Sequence, residues 1–186
     1  MIFILIKEDP DRLSIINNKS VDMKQYFLFI ALLMISFSCT TTYFVVRHAE
    51  KLDNTENSPL STAGLERANT LRDTLASKGI DSVFASVRLR TQQTAQPTAT
   101  SSGVTIQVLP IDPASGLLER LRRINGKKVL VVGHSNTVPQ IVQTLSGRTA
   151  GPIQERIFDS MYIIKKTKIF STKTTLRRTT YGRQTL

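Results

Sequence analysis

Short unbroken apolar runs alternate with amphipathic stretches along most of this chain. Thr41–Arg47, Asp81–Ser86, Val104–Leu109, Val129–Gly133 and Ser160–Lys165 are the β-branched or aliphatic runs, and Val129–Gly133 shows no polar alternation at all. Runs of that kind predict strands buried on both faces, the condition of a parallel sheet. Between them lie helical patterns. Ser61 is a candidate N-cap for a helix in which Leu65, Ala68, Leu71 and Leu75 recur at helical spacing before Lys78-Gly79 ends it. Further helices are predicted over Thr91–Ser101, with Pro97 as an interruption or boundary, over Ala114–Ile124, and over Val138–Leu145, closed by Gly147. Strand-helix alternation of this order predicts an α/β fold, a three-layer α/β/α sandwich around a mostly parallel sheet.

The first 39 residues break the pattern. Met23-Lys24-Gln25 leads into the apolar stretch Tyr26–Phe37 and then Ser38-Cys39. A basic start, a short apolar stretch and a small residue describe a secretory signal peptide, and the stretch falls short of the ~20 residues a comfortable membrane span needs. A Cys directly after the small residue resembles a bacterial lipoprotein signal, which implies a lipid on Cys39, export, and a membrane anchor on the periplasmic or cell-surface side. Another cleaved signal, an uncleaved anchor and a buried N-terminal helix are the alternatives. The expected organisation is therefore residues 1–22 as an over-extended N-terminus ahead of Met23, or else a strand and loop added to the domain. Residues 23–39 follow as the signal peptide, and residues 40–186 as one domain with a basic C-terminal segment, 165–186.

Charge and chemistry sharpen the picture. A formal charge of +11 with only one Cys and two His favours anionic partners: phosphorylated substrates, nucleic acid or an anionic membrane face. An intramolecular disulfide is excluded, and the His and Cys spacing fits no common zinc site, so neither metal nor cofactor is expected. The tail from Lys165 onward holds seven Lys/Arg and no acidic residue. It suits an edge hairpin whose lysines deter unwanted pairing, or else a surface for anions or membrane. Few aromatics stand beside these cations, and together with the export signal this argues against nucleic acid.

Both histidines sit where an apolar run ends, His48 after Thr41–Arg47 and His134 after Val129–Gly133, and Ser86-Val87-Arg88-Leu89-Arg90-Thr91 follows a third run. In a parallel α/β sheet such strand ends share one edge, where ligands bind. Arg47-His48-Ala49-Glu50-Lys51, then Leu60-Ser61 with Gly64 and Arg67-Ala68, then Ser86 with Arg90-Thr91 and Thr94-Ala95, then Gly133-His134-Ser135-Asn136 together resemble the histidine phosphatase superfamily, the phosphoglycerate-mutase-like proteins. The resemblance runs from about Thr42 to Ile164. It implies that His48 is the nucleophile, forming a phosphohistidine, that Arg47 and Arg90 grip the phosphoryl oxygens in fork geometry, and that His134, protonated or donating, contacts the same group.

Other roles stay open at this level. Glu50 could touch substrate, orient His48 or pair with an Arg. Arg88 could be a surface charge or a substrate contact. Thr91 and Thr94 suit helix capping and packing, and Ser135 and Asn136 suit capping or substrate binding. For the proton donor that an alkoxide leaving group requires, Asp112 follows a strand and is the candidate. Glu119 lies among arginines on a helix, and the third option is no acid at all, which would favour phosphoramidates. The short segment between Arg90 and His134 leaves an open site suited to water as acceptor. The expectation is a membrane-anchored phosphatase acting on a phosphomonoester or phosphoramidate, in a phosphorylated small molecule or phosphoprotein. The alternative is a lipoprotein of the same fold that binds phosphate ligands with little turnover.

Overall fold

A computed structural model describes residues 23–28, 39–110 and 116–185. Residues 23–28 are helical and exposed. The proposed over-extension, residues 1–22, and most of the signal sequence lie outside the described residues.

The domain runs β1 (Cys39–Arg47), α1 (Thr62–Leu75), β2 (Ser82–Ser86), α2 (Leu89–Ser101), β3 (Ile106–Leu109), α3 (Leu117–Arg123), β4 (Lys128–Gly133), α4 (Thr137–Ser146), β5 (Ser160–Lys168) and β6 (Thr172–Thr180). One six-stranded sheet has the order β3-β2-β4-β1-β5-β6. Its first four strands are parallel; β5 and β6 are antiparallel additions. Helices cover both faces, giving the mostly parallel three-layer α/β fold.

The strands show why the apolar runs carry no alternation. On β1, Tyr43 and Val45 join Leu117, Leu121, Val138 and Ile141 from α3 and α4 in one core. Phe44 and Val46 join Leu71, Leu75, Ala95 and Ala99 from α1 and α2 in the other. Every second residue thus serves an opposite helical layer, and both sets lose their contact with water.

Several boundaries differ from the sequence pattern. Helix α2 passes through Pro97 without stopping. The buried face Thr91, Thr94, Ala95, Thr98 and Ala99 packs on both sides of the proline, and the missing N–H removes a single helical bond. Strand β5 continues past Lys165 to Lys168 because β6 pairs with it along its whole length, Lys168 opposite Thr172. Cys39, expected just outside the domain, is the first residue of β1 and lies opposite Lys168.

Candidate active site

Sheet register assembles the site. Arg47 pairs with Gly133 across β1 and β4, so each histidine follows the end of one of two neighbouring parallel strands. The His48 N–H donates to the Gly133 carbonyl (2.9 Å), and the two imidazoles lie 5.4 Å apart, edge to face at 63°. Gly133 has no room for a side chain: a Cβ there would come within 2.7 Å of Thr137 Oγ1. That hydroxyl receives the His134 N–H (2.8 Å) and so fixes the turn from β4 into α4.

The hydrogen bonds define both protonation states. His48 Nδ1 lies 2.7 Å from the carbonyl of Ala49, which can only accept. The proton therefore resides on Nδ1 and the lone pair on Nε2. His48 is 4% exposed, and burial, reinforced by Arg47, His134 and Arg90, pushes its pKa down to about 3. His134 Nε2 lies 2.8 Å from Ser86 Oγ. Thr91 Oγ1 donates to the Arg88 carbonyl at 2.7 Å, which leaves it to accept from Ser86 Oγ at 2.9 Å. The Ser86 oxygen is then the acceptor for His134 Nε2–H. Burial, followed by the charges of Arg90, Arg88 and Arg47, holds the His134 pKa at about 4. Of the two states expected, protonated or donating, His134 has the second: it is neutral and donates its Nε2 proton to Ser86.

A cavity of about 290 Å3 opens beside the imidazoles, lined among the described residues by four cationic side chains, Arg47, Lys51, Arg88 and Arg90, against one carboxylate, Glu155. Arg90 donates through Nη1 to the Glu56 carbonyl (2.8 Å), and Arg88 pairs with the Glu56 carboxylate. Arg88 thus belongs to the cavity wall. The guanidinium of Arg47 stacks 4.4 Å over the Phe158 ring. Its Nη1 donates to the carbonyls of Gln154 (3.1 Å) and Glu155 (2.7 Å). Its Nη2 pairs with Glu155 Oε2 at 2.7 Å. Ser135 Oγ donates to the other oxygen of the same carboxylate at 2.8 Å. The two bonds hold Glu155 ionised, below the usual carboxylate range, the Ser135 bond contributing most. The fork of Arg47, expected to face a phosphoryl group, is therefore already engaged. The buried Nε atoms of Arg47 and Arg90 have no partner.

Other candidates fall elsewhere. Glu50, a candidate substrate contact, is turned away from the cavity: both its oxygens accept from Arg67 at 2.7–2.9 Å. Arg67 also donates to the carbonyls of Tyr181 and Arg183. Gly64 is required here, since a Cβ would sit 2.2 Å from the Glu50 carbonyl oxygen. Thr94 Oγ1 accepts the Ala49 N–H and donates to the Arg90 carbonyl, tying the two motif segments together. Asn136 lines the cavity and its side chain does not cap α4. Glu119 pairs with Arg123 one turn along α3. Asp112, the candidate proton donor, lies outside the described residues.

Sequence reasoning missed Ser86 as the acceptor for His134, although its spacing from Arg90 was in view, and it missed Glu155 and Phe158 altogether. Those two stand more than a hundred positions from Arg47, on a loop with no pattern to mark it.

Comparison with known proteins agrees with this assembly. The model of the histidine phosphatase superfamily (branch 1) matches residues 43–111. Among curated proteins no sequence matches the chain. The fold is shared with the protein histidine phosphatase SixA solved with tungstate, at 24% identity and a TM-score of 0.56, covering 75% of this chain and 96% of that one. It is shared with a mycobacterial glucosyl-3-phosphoglycerate phosphatase solved with VO3, at 11% identity and a TM-score of 0.55 over 73% and 96%. A further structure, mycobacterial hydrolase 2, gives 11% identity and a TM-score of 0.60 over 80% and 93%. With the family model on the first motifs, the common fold, and both histidines at one sheet edge, the chain is similar to the histidine phosphatase superfamily over its first motifs and shares the fold of solved phosphatases.

Proposed function

We propose that the protein is a phosphatase that works through a phosphohistidine on His48 and acts on phosphoramidates and phosphomonoesters, with preference for the former. The observation that carries this reading is the His48 tautomer: a neutral ring whose proton is tied to the Ala49 carbonyl and whose Nε2 is free, beside a strongly cationic cavity. In the first step Nε2 attacks phosphorus, the bond to the leaving group breaks, and that group departs with the electron pair. In the second, water attacks phosphorus, the P–N bond returns its pair to Nε2, and inorganic phosphate is released. The cations offset charge on the equatorial oxygens in both steps. The tungstate and VO3 of the two structural relatives are oxyanions, the charge type that a cavity lined by Arg47, Lys51, Arg88 and Arg90 attracts.

Leaving-group protonation decides the preference. The one carboxylate lining the cavity among the described residues, Glu155, is held ionised by Ser135 and Arg47, which suits it to accept a proton from the attacking water rather than to donate one. A phosphoramidate nitrogen is basic and leaves with less help than an alkoxide. Asp112 is the remaining candidate donor for phosphomonoesters. On the same reading the protein is exported and anchored by a lipid on Cys39, supported by the apolar run 26–37 and the Ser38-Cys39 junction.

The test is turnover of phosphohistidine, an aryl phosphate and an alkyl phosphate, with alkaline quenching to preserve phosphohistidine. The expected order is phosphoramidate, aryl, then alkyl, with a trapped phosphoenzyme lost in His48→Ala. Hydrolysis that survives His48→Ala would overturn the covalent route. Labelled lipid that still enters Cys39→Ser would overturn the anchor.

A further inference from the structure

The far end of the sheet carries a second surface that the chemistry at His48 does not use. Strands β5 and β6 form a hairpin whose turn, Ile169-Phe170-Ser171, lies beside the first residue of β1, because Cys39 is opposite Lys168. No acidic residue occurs between Ser160 and Leu186. Among the described residues none of the hairpin's Lys or Arg forms an ion pair. Lys166 is crowded by Arg122 of α3 and by Lys168, and burial together with these two charges lowers its pKa. At the tip, Phe170 is 85% exposed and Ile169 58%.

Guarding a sheet edge accounts for the cations Lys173, Arg177 and Arg178 along β6 but not for an aliphatic-aromatic pair presented to water at the turn. An apolar tip ringed by unpaired cations is what an anionic lipid surface complements: the apolar side chains enter the boundary between headgroups and acyl chains, and the cations meet the headgroups. Connectivity points the same way. In the sequence the apolar run 26–37 ends two positions before Cys39, and Cys39 lies opposite Lys168, next to this tip.

We propose that the β5–β6 hairpin seats the domain on an anionic bilayer, Ile169 and Phe170 inserting and Lys166, Lys168, Lys173 and Arg122 engaging the headgroups, with the His48 cavity at the opposite sheet edge facing the aqueous side. The docking surface is independent of the phosphatase reading, since no residue of the cavity takes part in it.

The chain has no tryptophan, so Phe170→Trp in the full chain places a single indole at the tip. Its emission is read with phosphatidylcholine vesicles and with the same vesicles containing phosphatidylglycerol. The run 26–37 can bring the chain to either lipid; the difference between the two spectra reports the tip alone. A blue shift that requires phosphatidylglycerol is expected, and Lys168→Gln and Lys173→Gln in the Trp background should each weaken the apparent vesicle affinity about fivefold. Equal emission in both lipids overturns the proposal. So does a phosphatidylglycerol-dependent shift that both lysine substitutions leave unchanged. A shift produced by single-stranded DNA and not by vesicles overturns it too, and assigns the surface to nucleic acid.

Discussion

His48 and His134 lie side by side, yet burial keeps both rings neutral, and this has consequences that can be measured. With its pKa near 3, His48 keeps its nucleophilic form far below the point at which a free imidazole, near 6.5, would lose it. The acid limb of kcat/KM should therefore not follow a histidine titration between pH 7 and 5; a midpoint near 6.5 in the pH-rate profile would contradict the buried neutral ring. The same shifts act on stability. Both folded-state values lie below the unfolded value, so the neutral rings favour the fold fully above about pH 6.5, and that contribution is lost as pH falls toward 4 and 3. Urea unfolding should weaken by up to about 1.4 kcal/mol per pH unit for each histidine below pH 6.5, with a shallower slope in His48→Asn. Glu155 makes a second residue-scale case. Its carboxylate is 75% exposed and competes for Arg47 with any incoming oxyanion. Glu155→Gln should tighten inhibition by vanadate or tungstate about fivefold, the scale of an exposed charge pair. The motif residues were legible because the chemistry demands fixed local spacing. Glu155 was not, since only the folded loop after α4 brings it to Arg47.

Among the elements, strands read well wherever both faces are buried and poorly where they are not. The runs behind β1, β2 and β4 needed no tertiary information. Strand β6 has Leu176 as its one large apolar residue, and it exists because β5 offers it a ladder of partners. Helix α2 shows the opposite failure: Pro97 is a local stop signal that packing on both sides overrides. The start of α1 was readable in part. Ser61 accepts the Gly64 N–H at 3.2 Å, as its N-cap position predicted, but Gly64 is needed for a reason the sequence does not display, the approach of the Glu50 backbone. Gly64→Ala must push that backbone away. The expected loss is about 2 kcal/mol by denaturant titration, with turnover reduced because Ala49 and His48 move with Glu50.

For the whole molecule, the sequence order of strands and helices specified the layers, whereas the closure of the C-terminal segment onto the motifs could not be read from it. Arg67 makes that closure. It is nearly buried, bonded to Glu50 on one side and to the backbone of Tyr181 and Arg183 on the other. Removing it leaves Glu50 without its cation and releases the end of the chain. Arg67→Met should cost about 3 kcal/mol and should raise proteolytic sensitivity after Tyr181 before it affects the rest of the domain. An unchanged midpoint with intact protection would show that the clasp is ornamental.

The nine residues of β1, Cys39–Arg47, have Cys39 at one end and the edge that holds His48 at the other. At ~3.3 Å per residue that is a rigid span of roughly 25–30 Å. A domain held at Cys39 would carry its cavity at a constant height, with no leash to lengthen or shorten the reach. Phosphate groups of the bilayer beneath would stay out of range. What such an enzyme could dephosphorylate would be limited to molecules that diffuse past at that height or proteins tall enough to present a phosphoryl group there.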